Sequence, residues 1–428
     1  MKRIFFILLM SLSLSVLAQE YTEIRGKIVD KQTKKPVSYA HIQHKTLHLI
    51  TQANNDGDFV FKIPNAFAEG SIIVSCVSYE KRTIAIKDVI KQQKIELKPD
   101  PTQLQSITIN ALPTANSILD SVKKHIVDNY YTDTTINTFF YREYRIVDGN
   151  MYLFDEAIFD LLRRGAGKDK RHILIKFSDN QKWTKSNYKQ VQKYRLLVYD
   201  TLAIDSLAFL ASDKESLIKY YEDNFSDITE FPNSAYILGY KKSFTSTVSK
   251  YMDVDSNQFY RIVMTPKPNK RFVDELENIE VIVNAKDYAL INVSHSYDKR
   301  MYFSPLSKNR KWAKKVINAY FNSAYSKVGD KYTLTNSESF ANSLYYDEAE
   351  RPHNITSSSS FSLTGFEKDK ASITSFMERG EVLKTKPQKY DRVFTNSEYD
   401  EGFWQQYNFV PLDTDIYRKL KATLNRKK

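Results

Sequence analysis

The sequence contains a single cysteine, Cys76, among its 428 residues. One thiol cannot form an intramolecular disulfide, so no disulfide framework stabilises this chain. Cys76 lies in the apolar run SIIVSCVSY, and we interpret it as a small buried core residue rather than a reactive thiol. Glycine is also scarce, with 11 residues against 29 tyrosines and 25 phenylalanines. This composition disfavours a doubly wound sheet with glycine-rich turns and favours long β-strands.

Long apolar runs are absent after the first twenty residues. The N-terminus begins with Lys2 and Arg3, continues with a short, serine-interrupted apolar run, and offers small residues up to Ala18. This pattern predicts a signal peptide over residues 1–18, with cleavage after Ala18. We therefore expect an exported protein, either periplasmic or associated with the outer membrane, whose mature chain has no transmembrane helix. No cysteine lies near the cleavage point, which argues against a lipid-modified N-terminus.

Sequence motifs of catalysis are missing as well. The sequence has no G-x-S-x-G nucleophile motif and no HExxH zinc motif, so we expect a non-enzymatic protein without a cofactor or metal. His41, His44 and His48 cluster in HIQHKTLH, but no carboxylate completes a zinc site there. We interpret them as solvent-exposed or edge-strand histidines. Asp155 and Glu156 should lie on opposite strand faces, as exposed carboxylates that cannot act together as acid and base.

The formal net charge is +12, or about +10 once Lys2 and Arg3 leave with the signal peptide. Basic and acidic residues are interleaved, and export makes nucleic acid an unsuitable partner, which leaves an envelope protein, a lipid or a glycan. The sharpest basic cluster is RRGAGKDKR, which is a candidate anion- or surface-binding loop. We favour a flexible solvated hairpin loop, because the cluster lacks the phosphate-loop motif. Its basic residues are Arg163, Arg164, Lys168, Lys170 and Arg171.

Short strand-like segments alternate with polar turns over residues 22–98. The segments are EIRGKIVD, VSYAHIQHKTLHLIT, FVFKIP, SIIVSCVSYEKRTIAI and QKIELKP. Strands at this spacing, with turn signals between them, indicate a small β-sandwich.

The run NNDGDFVFKIP poses the question of a calcium loop. An EF-hand loop alternates its oxygen ligands and places a glutamate six residues after its glycine, where this chain has Ile63. The oxygen-bearing side chains around Gly57 are instead adjacent. We therefore interpret Asp56-Gly57 as a turn that supplies the positive φ of a tight hairpin. Phe59, Phe61 and Ile63 then share one strand face, which we expect to be core.

A proline-punctuated linker and a helix should follow the sandwich. Within ANSILDSVKKHIVDNYY, Asn116 or Ser117 is a suitable N-cap. The apolar residues at helical spacing are Ile118, Val122, Ile126 and Val127.

From about residue 135 onward the strands are longer. Turn signals at Asp148-Gly149, 285–287 and Gly329-Asp330 separate alternating runs, which predicts one large antiparallel sheet built from hairpins. Part of 180–232 and a short stretch near the C-terminus should be helical. Aromatic residues in the first hairpin either line an apolar cavity or form core under a covering helix, and we favour the core. They are Phe139, Tyr141, Tyr144, Tyr152, Phe154 and Phe159.

The first hundred residues resemble a known family. The matching elements, in order, are Gly26-x-Ile28-Val29-Asp30, Pro36-Val37-x-Tyr39-Ala40, Asn55-Asp56-Gly57-x-Phe59 and Val77-Ser78-Tyr79. They resemble the carboxypeptidase-regulatory-like domain, a transthyretin-like Greek-key sandwich common in envelope proteins of Bacteroidota. Ser78 replaces a glycine frequent in that family. The resemblance covers residues 22–99 and implies an appended regulatory-type domain rather than a zinc peptidase.

Together these patterns predict a mainly β protein: an N-terminal Greek-key β-sandwich and a larger antiparallel curved-sheet domain with a few helices. The expected boundaries are 1–18 for the signal peptide, 19–98 for the sandwich, 99–134 for the linker strand and helix, and 135–428 for the large domain. We expect an exported binding or assembly module of the cell envelope, with the sandwich as interaction module. The alternative is a periplasmic carrier or sensor that binds an apolar lipid or a glycan on the curved sheet.

Overall fold

The computed structural model describes residues 21–47, 49–76, 79–99, 112–163, 166, 188–199, 236–239, 241–252, 257–267, 278–298, 314–346, 351–378 and 407–426. Within these ranges the chain is mostly β, as the sequence predicts. None of the helices in the described ranges has the length and apolar character needed to cross a membrane.

The N-terminal part forms two facing sheets. Its elements are β1 (Tyr21–Asp30), β2 (His41–His44), β3 (Ile50–Gln52), β4 (Asp58–Pro64), β5 (Ser71–Ser75), β6 (Arg82–Ala85), α1 (Ile86–Gln92) and β7 (Lys94–Leu97), with a 3₁₀ turn at Asn65–Phe67. One sheet has the order β4-β1-β7 and the other β3-β2-β5-β6. Apolar side chains from both sheets, such as Phe61 and Ile72, share one buried core. The predicted sandwich is therefore confirmed.

Three local predictions for the sandwich need correction. The run over 37–51 forms two short strands, β2 and β3, rather than one, and residues 86–92 form the helix α1, which the alternation did not indicate. The Asp56-Gly57 turn is present, with Gly57 at φ +79°. It does not close a hairpin, however, because β3 and β4 belong to different sheets.

The predicted helix is α2 (Ala115–Lys124), followed after His125 by the short α3 (Ile126–Asn129). Its N-cap is Thr114, whose hydroxyl accepts a hydrogen bond from the Ser117 N–H at 3.2 Å, rather than Asn116 or Ser117. Ile118, Val122 and Ile126 are buried as expected, whereas Val127 is exposed.

The remaining strands form one ten-stranded antiparallel sheet among the described residues, with the order β10-β9-β8-β17-β16-β15-β14-β13-β12-β11. The strands are β8 (Thr135–Val147), β9 (Asn150–Arg163), β10 (Tyr188–Tyr199), β11 (Phe244–Met252), β12 (Gln258–Pro266), β13 (Asn278–Asn284), β14 (Leu290–Asp298), β15 (Lys314–Val328), β16 (Lys331–Tyr346) and β17 (Pro352–Glu367). Helices α4 (Tyr236–Gly239), α5 (Lys370–Glu378) and α6 (Thr414–Arg426) and a 3₁₀ turn at Lys241–Ser243 accompany them. The three predicted turns lie at strand connections, and Asp148-Gly149 adopts the positive φ angles, +48° and +80°, of a tight hairpin.

A helix and a C-terminal stretch of the chain cover parts of the large sheet. Helix α2 packs its apolar face on strands β11 to β16, in a core that includes Ile118, Ile262 and Val281. Residues 407–426, which we call the C-terminal segment, pack on β8 and β9 through Phe409 and Ile416. The predicted C-terminal helix is thus α6, and it is a structural support of the sheet.

Candidate functional site

A cavity of about 570 Å³ lies between the sandwich, the large sheet and the C-terminal segment. We call it the sandwich–sheet cleft. The sandwich contributes Tyr39, Gln52, Asn54, Asn55 and Asp56; the sheet contributes Arg142, Tyr144, Tyr320, Asn336, Glu338, Phe340, Ser358, Ser360 and Ser362; and the C-terminal segment contributes Val410, Pro411, Leu412, Asp413, Asp415, Ile416 and Lys419.

The floor of the cleft follows from strand alternation. Every second residue of a strand points to the same face, so Ser358, Ser360 and Ser362 of β17 all face the cleft. In register, Ser360 pairs with Glu338 on β16 and with Arg142 on β8. Small serines therefore form a trough along β17, between rows of larger side chains on the two neighbouring strands.

Aromatic rings border this trough. Ser358 pairs with Phe340 on one side and with Tyr144 on the other. Phe340 and Tyr320 stack, with ring centroids 5.4 Å apart and planes at 21°. Tyr320 nevertheless stays 38% exposed, so part of the ring remains accessible.

Tyr39 of the sandwich also lines the cleft, and it is 40% exposed. Its backbone φ is +58°, in the left-handed region that β-carbon sterics disfavour for most residues. Such strain persists where the surrounding structure imposes it, often at binding sites. Burial and then the nearby Glu338 carboxylate raise the pKa of the Tyr39 hydroxyl, which stays protonated and able to donate a hydrogen bond.

The Asn54–Gly57 turn holds the C-terminal segment at one end of the cleft. Asn54 Nδ2 donates to the Leu412 carbonyl at 3.0 Å, and the Asn55 N–H donates to Asp413 Oδ1 at 2.8 Å. The Thr414 N–H donates to Asp56 Oδ2 at 2.7 Å. The oxygen-rich run that suggested a calcium loop thus forms hydrogen bonds that join two distant parts of the chain.

A buried ion pair anchors the other side of the C-terminal segment. The Nε and Nη2 atoms of Arg142 donate to Glu156 Oε1 at 2.9 and 2.6 Å. Nη1 and Nη2 also donate to the carbonyls of Pro411 and Val410, at 3.1 and 2.6 Å. Arg142 therefore links β8, β9 and the C-terminal segment.

The lining of the cleft is acidic, although the whole chain is basic. Among the described lining residues, the carboxylates are Asp56, Glu338, Asp413 and Asp415, and the cations are Arg142 and Lys419. Both cations are engaged, Arg142 with Glu156 and Lys419 with Asp415. Burial raises the pKa of Glu338, which accepts a hydrogen bond from Asn322 at 3.4 Å, and burial also raises the pKa of Asp413.

The predicted basic loop cannot be placed against this cleft. Arg164, Lys168, Lys170 and Arg171 lie outside the described residues, and for Arg163 only the backbone, at the end of β9, is described. The loop therefore stays a prediction.

The histidine interpretation is wrong for the two residues that the structure describes. His44 is buried, and its Nδ1 accepts hydrogen bonds from the N–H groups of Thr46 and Leu47 at 3.3 and 3.0 Å. Burial lowers the pKa of His41 to about 4. Their strand is not an edge strand, since β2 lies between β3 and β5. His48 lies outside the described residues. In the described part of the chain, no group of three or more His, Cys, Asp or Glu side chains is arranged to hold a metal.

Other predicted residues have mixed outcomes. Glu156 is buried rather than exposed, because Arg142 pairs with it, and Cys76 is half-buried at the edge of the sandwich core. The first-hairpin aromatics Phe139, Tyr141, Tyr152 and Phe154 are buried, as the core interpretation expects, whereas Tyr144 lines the cleft. The side chain of Phe159 lies outside the described residues.

Sequence reasoning missed the floor of the cleft. The available signal was the even-numbered face of β17, where Asn354, Thr356, Ser358, Ser360 and Ser362 are all polar and uncharged. A central strand with such a face indicates a covered but polar surface. The sequence could not show that the sandwich covers it.

Comparisons with known proteins bear mainly on the sandwich. No curated protein matches the chain. Among solved structures, a DUF1329 family protein from Desulfovibrio piger is similar at a TM-score of 0.25 and 9% identity, covering 62% of this chain and 97% of its own. A candidate membrane-associated protein of unknown function from Bacteroides fragilis is similar at a TM-score of 0.15 and 7% identity, covering 81% and 99%. These TM-scores are too low to support any functional conclusion.

The family comparison is more informative. Residues 24–109 match the family model described as CarboxypepD_reg-like domain. This match supports the identification of the N-terminal sandwich as a regulatory-like domain rather than a catalytic one.

Proposed function

We propose that the protein is an exported, non-enzymatic binding module of the cell envelope, whose ligand occupies the sandwich–sheet cleft. The observation that carries this proposal is the cleft itself. Its volume of about 570 Å³ lies within the roughly 300–1,000 Å³ typical of ligand sites. Its walls come from parts of the chain that are distant in sequence, and ligand sites often lie at such interfaces between domains.

The role of the sandwich in this proposal follows from its contacts. The hydroxyl of Ser362 on β17 lies 3.0 Å from Gln52 Oε1 on β3, so the sandwich packs on the large sheet. It thereby closes one side of the cleft and presents Tyr39 to a ligand. In this proposal the sandwich, as the interaction module, contacts the large sheet of its own chain. An envelope partner would bind to the sandwich in addition.

The export component rests on the N-terminal sequence, which lies outside the described residues. Cleavage after Ala18 and a periplasmic or outer-membrane location therefore belong to the proposal. N-terminal sequencing of the protein from fractionated cells tests both: a mature chain beginning at Gln19 in the envelope fraction is expected. A full-length chain in the cytosolic fraction would contradict export.

The binding component is tested with the mature chain purified from its producing cells. Native mass spectrometry should detect a ligand bound to the wild-type protein and lost from Tyr39→Ala. Tyr417→Ala is the matched control, because Tyr417 is 53% exposed and does not line the cleft. The ligand should be recovered with unchanged mass after incubation. Equal retention in both variants would refute the site, and a chemically altered ligand would refute the non-enzymatic assignment.

A lipid carrier is less well supported. Its cavity would need an apolar lining, but the described first-hairpin aromatics are mostly core, and Glu338, Asn336 and three serines line the cleft. An apolar ligand would remove these polar groups from water without replacing their hydrogen bonds, at roughly 1–3 kcal/mol for each group.

A further inference from the structure

We propose that the ligand of the sandwich–sheet cleft is an oligosaccharide without negative charge, held in the serine trough between the rings of Tyr39, Tyr144 and Tyr320. This inference rests on the proposed function, because it names the ligand class of the same cleft.

The shape of the trough favours a chain-like polar ligand. Ser362 is buried, and its hydroxyl bonds Gln52, so the open part of the trough runs from Asn354 to Ser360, about 20 Å along β17 at the rise of a strand. Serine is the smallest residue with a hydroxyl, so the floor is both low and able to donate and accept hydrogen bonds. Asn336 and Glu338 stand along one side and Arg142 along the other. A ligand with many hydroxyls matches this alternation of donors and acceptors.

The rings supply the complementary apolar contact. Sugar rings have C–H faces that pack on the electron-rich face of an aromatic side chain. Tyr39 and Tyr320 are both large aromatics that remain exposed, and both line this cleft. Tyr39 approaches from the sandwich and Tyr320 from the sheet, so a ligand in the trough contacts one ring from each side.

The strain at Tyr39 is the second, independent observation. At φ +58° glycine would be the conformationally favoured residue, yet the chain has a tyrosine there. Tyr288 has nearly the same φ, +57°, where it packs against the core of the large sheet, so the strain supports binding only together with the position of Tyr39 in the cleft lining.

The charges of the cleft exclude anionic sugars. Its cations are engaged, Arg142 with Glu156 and two carbonyls, and Lys419 with Asp415. Glu338 lies in the floor beside Ser360. The carboxylate of a uronic acid or a sulfate group placed in the trough would lie beside this acid, and among the described lining residues both cations already pair with carboxylates of the protein.

The test uses the mature full-length chain on a glycan microarray that includes neutral, aminated, sulfated and uronic acid oligosaccharides. Binding should be confined to the neutral and aminated structures. Calorimetry with the best neutral hit should then show at least tenfold weaker binding for Tyr320→Ala, and less than a twofold change for Tyr417→Ala. Glu338→Gln should increase the affinity for uronic acid oligomers relative to the wild type.

Tyr39→Gly is the most discriminating variant. Relief of the backbone strain should maintain or raise its thermal midpoint, while loss of the ring weakens neutral-glycan binding at least tenfold. If this variant fails to fold, Tyr320→Ala and Glu338→Gln still test whether the ligand is an oligosaccharide without negative charge.

Contrary results separate the two proposals. A preference for sulfated or uronic acid glycans, or an array without any binding, would overturn the ligand class. If native mass spectrometry meanwhile detects another ligand that depends on Tyr39, the cleft remains a binding site. If no ligand depends on Tyr39, the proposed function fails as well.

Discussion

The carboxylate of Asp56 accepts a hydrogen bond from the backbone N–H of Thr414, at 2.7 Å, and so caps helix α6 from a turn 358 residues earlier in the chain. Free N–H groups at a helix N-terminus need an acceptor, and a negative charge there also interacts favourably with the helix dipole. The Asp56 side chain therefore contributes both to the position of α6 and to the closed end of the cleft.

Replacement of Asp56 by alanine should lower the free energy of unfolding by about 1 kcal/mol, the usual effect of losing a helix cap. Asp58→Ala is the matched control, because the Asp58 side chain forms a partly exposed ion pair with Lys27, at 3.0 Å, whose loss should change stability by less than about 0.5 kcal/mol. Urea denaturation of the two variants tests this. Equal losses would show that the contact to α6 contributes nothing specific.

The Asp56 contribution should also depend on pH. Hydrogen bonds from the Thr414 side chain and N–H lower the pKa of Asp56 below its ordinary value of 3.8. A carboxyl group with a lowered folded-state pKa stabilises the fold above its unfolded-state value and loses that contribution as pH falls through the folded-state value. The difference in stability between wild type and Asp56→Ala should therefore be constant near neutral pH and shrink below about pH 4.

Two glycines with nearly the same backbone conformation provide a matched pair. Gly57 has φ +79° and Gly149 has φ +80°, but a β-carbon at Gly57 would lie 2.4 Å from the Ile28 carbonyl oxygen, whereas one at Gly149 has no atom within 4 Å. Gly149→Ala should cost about 1–2 kcal/mol of left-handed strain. Gly57→Ala should cost clearly more, because the clash adds to the strain.

Thermal denaturation of both alanine variants measures this difference, and Gly57→Val should show a still lower midpoint. Calcium or EDTA should leave the wild-type midpoint unchanged, since the turn binds the C-terminal segment instead of a metal. A calcium-dependent midpoint that disappears in Asp56→Ala would restore the metal interpretation.

The Arg142–Glu156 pair should be strongly coupled. Arg142→Met removes the two hydrogen bonds that Arg142 donates to the buried Glu156 carboxylate and should cost roughly 1.5–3 kcal/mol, whereas the double variant Arg142→Met/Glu156→Leu should cost less than the sum of the single changes. Arg261→Met is the control, because the Arg261–Glu280 pair is more exposed, and its loss should cost less than about 1 kcal/mol.

Hydrogen exchange gives the pair a second readout. Arg142 donates to the carbonyls of Val410 and Pro411, so its loss should increase amide exchange over 407–413 before the sandwich core opens. Unchanged protection of that stretch would mean that the C-terminal segment is held by its apolar contacts alone.

Histidine burial should give the fold an acid-sensitive range. Burial lowers the pKa of both His41 and His295 to about 4, from an ordinary value of 6.5. A histidine buried in its neutral form stabilises the fold above the unfolded-state pKa, and this contribution declines as pH falls from about 6.5 to about 4. The thermal midpoint should decline over the same range.

His295→Phe should reduce this decline, because phenylalanine does not titrate. The new ring should fit, since the ring centroids of His295 and Phe321 already lie 4.6 Å apart. Midpoints measured from pH 7 to pH 4 for both proteins provide the comparison. Parallel curves would show that His295 does not contribute to the acid sensitivity.

Much of the fold is determined by local sequence. Asp148-Gly149 forms its hairpin because few residues tolerate two successive positive φ angles, and Phe59, Phe61 and Ile63 enter the core because alternation places them on one face. The order of turn and strand motifs was also sufficient to indicate the sandwich family, which the match over 24–109 supports. These features depend on residues that are close together along the chain.

Only the tertiary structure decided what each face meets. Alternation places Val60 and Lys62 on the strand face opposite the sandwich core, yet both are buried. The Lys62 N–H donates a hydrogen bond to Asn408 Oδ1 of the C-terminal segment at 2.7 Å. Glu156 is buried because Arg142 lies on the neighbouring strand, and Ser360 faces a cleft because the sandwich packs above it. The sequence thus determined which side chains share a face. The covering of that face depends on contacts over hundreds of residues, which no local pattern encodes.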